Sequence, residues 1–388
     1  MGEKRKTGFV KGLVLGIALT AVVTVAAGRV RIFTQTGTAP TDERTQQKIR
    51  LIEDLIDKNY LEDVDEASMT DSMLKGLLQG IGDDYADYYS KDEYKEILSS
   101  TQGDYRGIGI IMQQSEETNE VLVVGVYKDT PADKAGIKAG DMLIQVDDIL
   151  CKETALERVA AAIKTGEADT VHLILERDSE SYEVDVTKED IQVPVVGSEM
   201  LEEQIGCIQI TQFTGLTPQQ FAEHYEDLKK QQMKALIIDL RNNPGGLVDS
   251  AVDTLCQILP EGLVVYMQTK DGTKTEYSCD GETPIDIPMV VLVNEYSASA
   301  SEIFAGAVHD YGVGTLVGTT TYGKGIVQKT FPFTDGSAVK MTIAYYYTPS
   351  GTCIHGEGIE PDVKVELPQD AQSDLQLEKA LEVLKKQL

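Results

Sequence analysis

Met289-Val290-Val291-Leu292-Val293-Asn294-Glu295-Tyr296-Ser297-Ala298-Ser299-Ala300-Ser301-Glu302-Ile303 joins five consecutive apolar residues to a run of small ones. The apolar run does not alternate, which predicts a strand buried on both faces, the habit of parallel sheets covered by helices. A helical pattern follows over Glu302–Tyr311, so the small residues lie at a strand-to-helix junction, where a substrate backbone can approach closely. Ser299 and Glu302 fit the S-x-x-E capping box, so from this segment alone Ser299 reads as a helix cap rather than a nucleophile. No Gly-x-Ser-x-Gly elbow occurs, so an α/β-hydrolase lacks its signature here. Leu236–Leu240 repeats the apolar run, and Val248–Leu259 the helical pattern after it. Together they predict an α/β region beginning near Ile191.

Two further segments of this region carry possible chemistry. Asp239-Leu240-Arg241-Asn242-Asn243-Pro244-Gly245-Gly246 is a strand end, a Pro-Gly-Gly turn and a helix start, which exposes backbone N–H groups suited to an oxyanion. The Lys-Ser/Thr of a phosphate loop does not follow it. In Thr321-Tyr322-Gly323-Lys324-Gly325-Ile326-Val327-Gln328 the lysine is flanked by glycines, as suits an amine entering a tight site. If a strand continues from it, Lys324 and Gln328 share a face, their separation being even. A lysine acts as a base only when neutral, and near its ordinary pKa of about 10.4 roughly one in 2,500 is neutral at pH 7. Burial must therefore lower its pKa by about three units.

Outward towards the N-terminus, from about Gly103 to Thr187, the apolar period becomes two. Val121–Val124 and Val171–Leu175 read as strands, with a helical piece around Leu156–Ile163. Tyr105-Arg106-Gly107-Ile108-Gly109-Ile110 is a glycine-spaced loop entering a strand. Thr130-Pro131-Ala132-Asp133-Lys134-Ala135-Gly136-Ile137-Lys138-Ala139-Gly140-Asp141 is a Pro-started turn leading into the strand Met142–Val146. Earlier still, Ile49, Ile52, Ile56 and Tyr60, then Met73, Leu74, Leu77, Leu78 and Ile81, recur at helical spacing. The acidic turn Asp83-Asp84-Tyr85-Ala86-Asp87-Tyr88-Tyr89 reads as a solvated loop packing its tyrosines, too sparse in ligands for calcium. Leu377, Leu381, Leu384 and Leu388 stripe a C-terminal amphipathic helix within Ser373–Leu388.

The remaining arithmetic sets the setting. With 388 residues the chain accommodates two or three domains, and its net charge of −29 disfavours nucleic acid as a partner. Five cysteines, at 151, 207, 256, 279 and 353, show no Cys-x-x-Cys spacing, which predicts neither a metal site nor a disulfide framework. Lys4, Arg5, Lys6 and Lys11 precede the uncharged stretch Gly12–Gly28. With Phe9 and Val10 this stretch is long enough to span a bilayer with the N-terminus cytoplasmic and the body outside. A cleaved signal peptide, with Val25-Ala26-Ala27 at its cleavage site, is the rival and would release a secreted protein.

The loop at 105–110 and the turn at 130–141 together resemble a PDZ domain over about residues 103–188. On that resemblance Gly107, Ile108, Gly109 and Ile110 form the loop that holds a peptide's terminal carboxylate while the chain end adds as a strand. From about residue 42 to 366, including Gly351 and Gly358-Ile359-Glu360-Pro361-Asp362, the chain resembles the C-terminal processing peptidases, tail-specific serine proteases with a PDZ domain. The resemblance implies Ser299 as nucleophile, Lys324 as general base and Gln328 as its orienting partner. It also implies oxyanion donors at Gly245 or Gly246 and at Ala300, and no cofactor or metal.

The fold class it implies is multidomain α/β and α+β: a crotonase/ClpP-like protease core with an inserted PDZ domain and helical ends. The expected layout is a cytoplasmic tail at 1–8, a transmembrane anchor at 9–28 and a linker at 29–40. A helical region at 41–102, the PDZ domain at 103–188, the protease core at 189–366 and a C-terminal helix at 367–388 follow. The expected partners are protein or peptide substrates with free C-termini, a membrane and a second copy of the chain. The homodimer rests on the amphipathic end helices, although helices packed on their own core give the same pattern. A non-catalytic PDZ scaffold in which Ser299 is only a cap, and a Ser–His hydrolase using His309 or His355, are the rivals. His309 falls ten residues after Ser299 on the same helix, facing away from it.

Overall fold

The computed structural model describes residues 42–165, 168–282, 284–368 and 371–388. The tail, anchor, linker and cleavage-site expectations therefore lie outside the described residues. Among the described residues no helix is long and apolar enough to cross a membrane. The described residues up to Met69 and those from Thr70 belong to separate compact units. Helix α1, Glu43–Asn59, starts on an Asp42 cap whose carboxylate accepts from the Thr45 N–H at 2.7 Å. Helix α2 covers Glu66–Gln79. Both appear where the sequence places helical spacing.

The acidic turn is not a solvated loop. Strand β1, Asp87–Tyr89, comes out of it with Tyr88 and Tyr89 buried, and helix α3, Lys91–Gln102, follows on a Ser90/Glu93 capping box. Asp83 faces inward, accepting from the N–H of Thr342 at 2.9 Å and from its hydroxyl at 3.2 Å. The partner strand lies some 250 residues further on, so nothing local in the sequence announces this pairing.

Next comes a β-rich module. Strand β2, Asp104–Gly107, pairs with β9, Glu189–Gln192, where the chain enters and leaves. Between them β3 (Ile110–Gln114), β4 (Val121–Val126), β5 (Met142–Val146), β7 (Thr170–Arg177) and β8 (Glu180–Thr187) form an antiparallel sheet in that order, with the short β6 (Ile149–Leu150) beside β5. The short helix α4, Pro131–Lys134, and α5, Leu156–Thr165, complete it. Val121, Val123, Leu143, Val171, Leu173 and Leu175 alternate into its core, as a period of two requires. Asp141 is buried against Arg177, whose Nη2 donates to it at 2.7 Å, and the Tyr182 hydroxyl donates at 2.7 Å. Strand β3 lies at the sheet edge, open to strand addition beside α5.

The larger core is built on the sheet β10-β11-β12-β15-β16-β19. These are Val196–Met200, Ile205–Ile210, Ala235–Asp239, Met289–Val293, Thr315–Gly318 and Val363–Lys364, parallel except for β10. All residues of β12 and β15 are buried, as their unbroken apolar runs predict. Helices α6 (Thr217–Lys230), α7 (Val248–Leu255) and α8 (Ala300–Tyr311) contribute to one core face, and α9 (Leu375–Lys385) to the other. Arg241 anchors α9, donating to Asp239 at 2.7 Å and to the α9 cap Asp374 at 2.8 Å. A second sheet contains β13 (Gly262–Thr269), β14 (Lys274–Cys279), β17 (Ile326–Pro332), β18 (Ala338–Tyr347) and β1.

One expectation about cysteines is overturned: Cys256 and Cys279 form a disulfide. Cys256 caps α7 and Cys279 ends β14, with Cα atoms 5.0 Å apart. The 23-residue separation matches no short motif, and only the tertiary fold brings the two together. Replacing both by serine is expected to lower unfolding free energy by about 2–4 kcal/mol, because the cross-link restricts the unfolded chain. Denaturant titration of the oxidised and double-serine proteins checks this.

Candidate active site

The three serines of the Ser-Ala-Ser-Ala-Ser string do different work. Ser297 donates to the Leu240 carbonyl at 2.8 Å, and Ser301 donates to the Asn243 carbonyl at 2.9 Å. The Ala298 N–H adds a bond to Asn243 O at 3.1 Å. The outer serines thus fasten the start of α8 to the loop that ends β12. Ser299, between them, is half-buried and has φ of 56°, a left-handed conformation unusual for serine.

The capping box expected at Ser299 is present, and its acidic member does more than cap. Glu302 is fully buried and takes four donors on one carboxylate. Its Oε2 accepts from the Ser299 N–H and from the Lys324 N–H, each at 2.8 Å. Its Oε1 accepts from the Thr321 hydroxyl at 2.6 Å and the Gly323 N–H at 2.7 Å. The backbones of Ser299 and Lys324 therefore converge on a single oxygen. The Glu302 N–H also has a partner in the Ser299 carbonyl, at 2.9 Å, so the cap does not depend on the serine hydroxyl alone. The Tyr346 hydroxyl donates to that same carbonyl at 3.0 Å.

Lys324 is half-buried, and that burial, aided by the Lys340 charge, pulls its pKa below the ordinary lysine value against the opposing pull of Glu302 and Asp83. Its ammonium lies 4.3 Å from the centre of the Tyr85 ring. Among the described residues no hydrogen bond joins Lys324 Nζ to Ser299 Oγ. Strand β17 begins only at Ile326, so Lys324 lies before it and the even-spacing argument does not apply to the pair. The Gln328 side-chain amide donates to Thr342 Oγ1 at 3.3 Å, the hydroxyl that in turn donates to Asp83.

The glycine turn sits against the serine. A Cβ on Gly245, whose φ is 100°, would lie 2.6 Å from the Ala298 carbonyl oxygen and 2.9 Å from Ser299 Cβ. No larger residue fits there without displacing the segment Ala298-Ser299-Ala300. The Gly245 N–H donates to Asn243 Oδ1 at 2.9 Å. The N–H groups of Gly246 and Ala300 have no protein acceptor among the described residues. Of the two glycines, Gly246 is the one whose N–H is not bonded among the described residues.

In the module at 103–188, the carbonyls of Ile108 and Gly109 accept from the N–H groups of Ala132 and Tyr127, each at 2.9 Å. Ile108 is buried in the module's core, and Ile110 opens the edge strand β3. Gly109 has φ of 86°, and a Cβ there would meet Thr130 at 2.5 Å. The Gly109 N–H faces the Tyr105 hydroxyl, and Lys164 Nζ lies 5.2 Å over the Tyr105 ring. Tyr105 and Lys164 do not announce each other in the sequence, because only the folded module brings them together.

The histidine rival finds no geometry. His309 contacts Asp310 and Asp362, and His355 packs on the Tyr345 ring. Among the described residues neither is hydrogen-bonded to Ser299.

Comparison with known proteins adds three findings. The profile of peptidase family S41 matches residues 204–365, and that of a PDZ domain matches residues 122–177. The carboxy-terminal processing protease CtpA of Bacillus subtilis (strain 168) is 33% identical over 361 residues, covering 92% of this chain and 77% of that protein. A probable CtpA-like serine protease of Staphylococcus aureus (strain COL) is 33% identical over 367 residues, covering 93% of this chain and 73% of that protein. Among solved structures, a photosystem II D1 C-terminal processing protease is 28% identical, with a TM-score of 0.49, covering 87% of this chain and 90% of that one. Identity of this extent, spread across both the PDZ module and the core, makes this chain a member of peptidase family S41, a serine-type carboxy-terminal processing protease with a PDZ domain.

Proposed function

We propose that the chain is a Ser–Lys endopeptidase that cleaves extracytoplasmic proteins near their C-termini, with the PDZ domain reading the chain end and gating activity. The observation that carries the dyad is Glu302 Oε2, which accepts at 2.8 Å from the backbone of both Ser299 and Lys324. Neutral Lys324 accepts the Ser299 hydroxyl proton, and the alkoxide attacks the peptide carbonyl. The oxyanion receives the N–H groups of Gly246 and Ala300, the pair without protein acceptors. The Lys324 ammonium then protonates the departing amine. Water, deprotonated by the same lysine, releases the acyl group from Ser299. Gln328 orients the lysine from β17, its side-chain amide held by Thr342 Oγ1 of the neighbouring strand β18 at 3.3 Å. Cleavage of a peptide library by residues 41–388, with the Ser299→Ala protein as control, tests the whole reading. Equal cleavage by both proteins would refute it.

The PDZ part has its own expected result. A carboxylate held by backbone N–H groups gains roughly 1.5–3 kcal/mol in charge-assisted hydrogen bonds. Amidating the substrate C-terminus is therefore expected to lower kcat/KM by about 10- to 150-fold. Equal cleavage of acid and amide peptides would remove chain-end recognition. Deleting residues 103–188 is expected to raise basal cleavage of unfolded chains if the module gates the site. A deletion that only mimics amidation would leave recruitment as its role.

The same proposal includes a crotonase/ClpP-like core, the mixed sheet β10-β11-β12-β15-β16-β19 with helices on both faces being its support. It also includes an anchored extracytoplasmic body, supported by the uncharged stretch Gly12–Gly28 and compatible with the Cys256–Cys279 disulfide. Release of the full chain from membranes by a high-salt wash would contradict the anchor. A homodimer, supported by the amphipathic end helices, is checked by sedimentation of residues 41–388, where a monomer at micromolar concentration would contradict it.

A further inference from the structure

We propose that Tyr85 is a positioning residue for the general base, its ring face seating the Lys324 side chain and its own place fixed by the Asp83 turn. The inference rests on Lys324 being the base of the proposed reaction. The Lys324 ammonium stands 4.3 Å from the Tyr85 ring centre, within the range in which a cation is attracted to an aromatic face. The ring is held from several sides. Asp83 Oδ1 accepts from the Tyr85 N–H at 3.0 Å, while Asp83 also takes the N–H and hydroxyl of Thr342 from β18. The Tyr85 hydroxyl interacts with that of Tyr322, two residues before the lysine. Strand β1, directly after the turn, pairs with Ala338–Lys340 of β18 and locks the segment onto the second sheet. Thr342 accepts from Gln328, so the turn, the ring and the glutamine form one continuous network around the lysine. An acidic turn remote in sequence from the motifs thereby becomes one wall of the base's surroundings.

The groups facing this lysine are Glu302 from α8, Asp83 from the turn, Lys340 from β18 and Tyr85 itself; Asp84 and Tyr322 face the Tyr85 ring. Burial and Lys340 favour the neutral amine, while Glu302 and Asp83 favour the ammonium. The aromatic face also favours the ammonium. Tyr85 thus holds the charged form in place between turnovers and sets the pH at which the base becomes available. Removing the ring while keeping apolar bulk should make deprotonation easier, and the lysine's midpoint should fall.

The test reads Lys324 directly and does not depend on turnover. In the full-length Ser299→Ala protein, brief acetylation at graded pH, followed by mass spectrometry of the Lys324 peptide, reports the fraction of neutral amine. Tyr85→Leu is expected to lower the midpoint by about 0.5–1 pH unit, and Tyr85→Phe, which keeps the ring, is expected to leave it unchanged. Tyr85→Met replaces the leucine variant if that protein does not fold. In otherwise wild-type protein the acid limb of kcat/KM should move by the same amount and in the same direction. An unmoved midpoint in the folded leucine or methionine variant overturns the proposal. So does an equal shift in Tyr85→Phe, which would assign the effect to the hydroxyl and Tyr322. If the labelling midpoint moves but the acid limb does not, the ring seats Lys324 as proposed and the lysine's role as base is what fails.

Discussion

Replacing Lys324 by arginine or alanine is expected to reduce kcat/KM by at least about 10⁴-fold while leaving the melting transition in place, and Ser299→Ala is expected to do the same. Arginine keeps a positive charge and similar reach, but its guanidinium does not give up a proton in proteins and so cannot serve as the base. The pH dependence has a definite sign. In the proposed mechanism activity requires the neutral amine, so kcat/KM is expected to rise with pH through the apparent pKa of Lys324. Burial lowers that pKa, so the rise is expected below the range of a free lysine. A flat profile from pH 6 to 10, or full activity in Lys324→Ala, would exclude lysine as the base.

Glu302→Gln is the second large effect. The carboxylate accepts four donors at 2.6–2.8 Å, and an amide in its place turns an NH₂ towards two of them. Each lost bond to a buried charged group costs about 1.5–3 kcal/mol, so the change is felt in stability as well as in activity. Because Ser299 and Lys324 hang on one oxygen, their relative placement loosens, and kcat is expected to fall by about 10²- to 10³-fold. Stopped-time kinetics alongside thermal melts separate the two effects. A variant that keeps wild-type kcat despite a lowered Tm would make Glu302 a structural cap and nothing more.

Much of the frame is legible because its physics is local. Leu236–Leu240 and Met289–Val293 have no polar face to hide, and both become strands with every described residue of β12 and β15 buried. Val121–Val124 and Val171–Leu175 alternate, and β4 and β7 turn their alternate residues into one core. What the sequence conceals depends on partners far along the chain. The turn at 83–89 looks solvated until Thr342 and Ala338–Lys340 are beside it. Cys256 and Cys279 look unrelated until α7 and β14 meet.

The site divides in the same way. Ser299, Lys324 and the glycine turn stand out through short motifs and the family they resemble. The spacing argument for Gln328 does not reach Lys324, because β17 begins only at Ile326. Glu302 reads from sequence as half of a capping box, since its other three donors come from a loop some twenty residues later. Which of Gly245 and Gly246 keeps an unbonded N–H turns on the side chain of Asn243, which accepts from the first of them.

The identity of the nucleophile is tested most directly by trapping the acyl-enzyme. Residues 41–388 would be mixed with an activated peptide ester, quenched in acid within the first turnover and examined by intact and fragment mass spectrometry. The expected result is one acyl group per chain, located on Ser299 and absent from the Ser299→Ala protein. An acyl group on another residue, or hydrolysis that continues undiminished in Ser299→Ala, would contradict it.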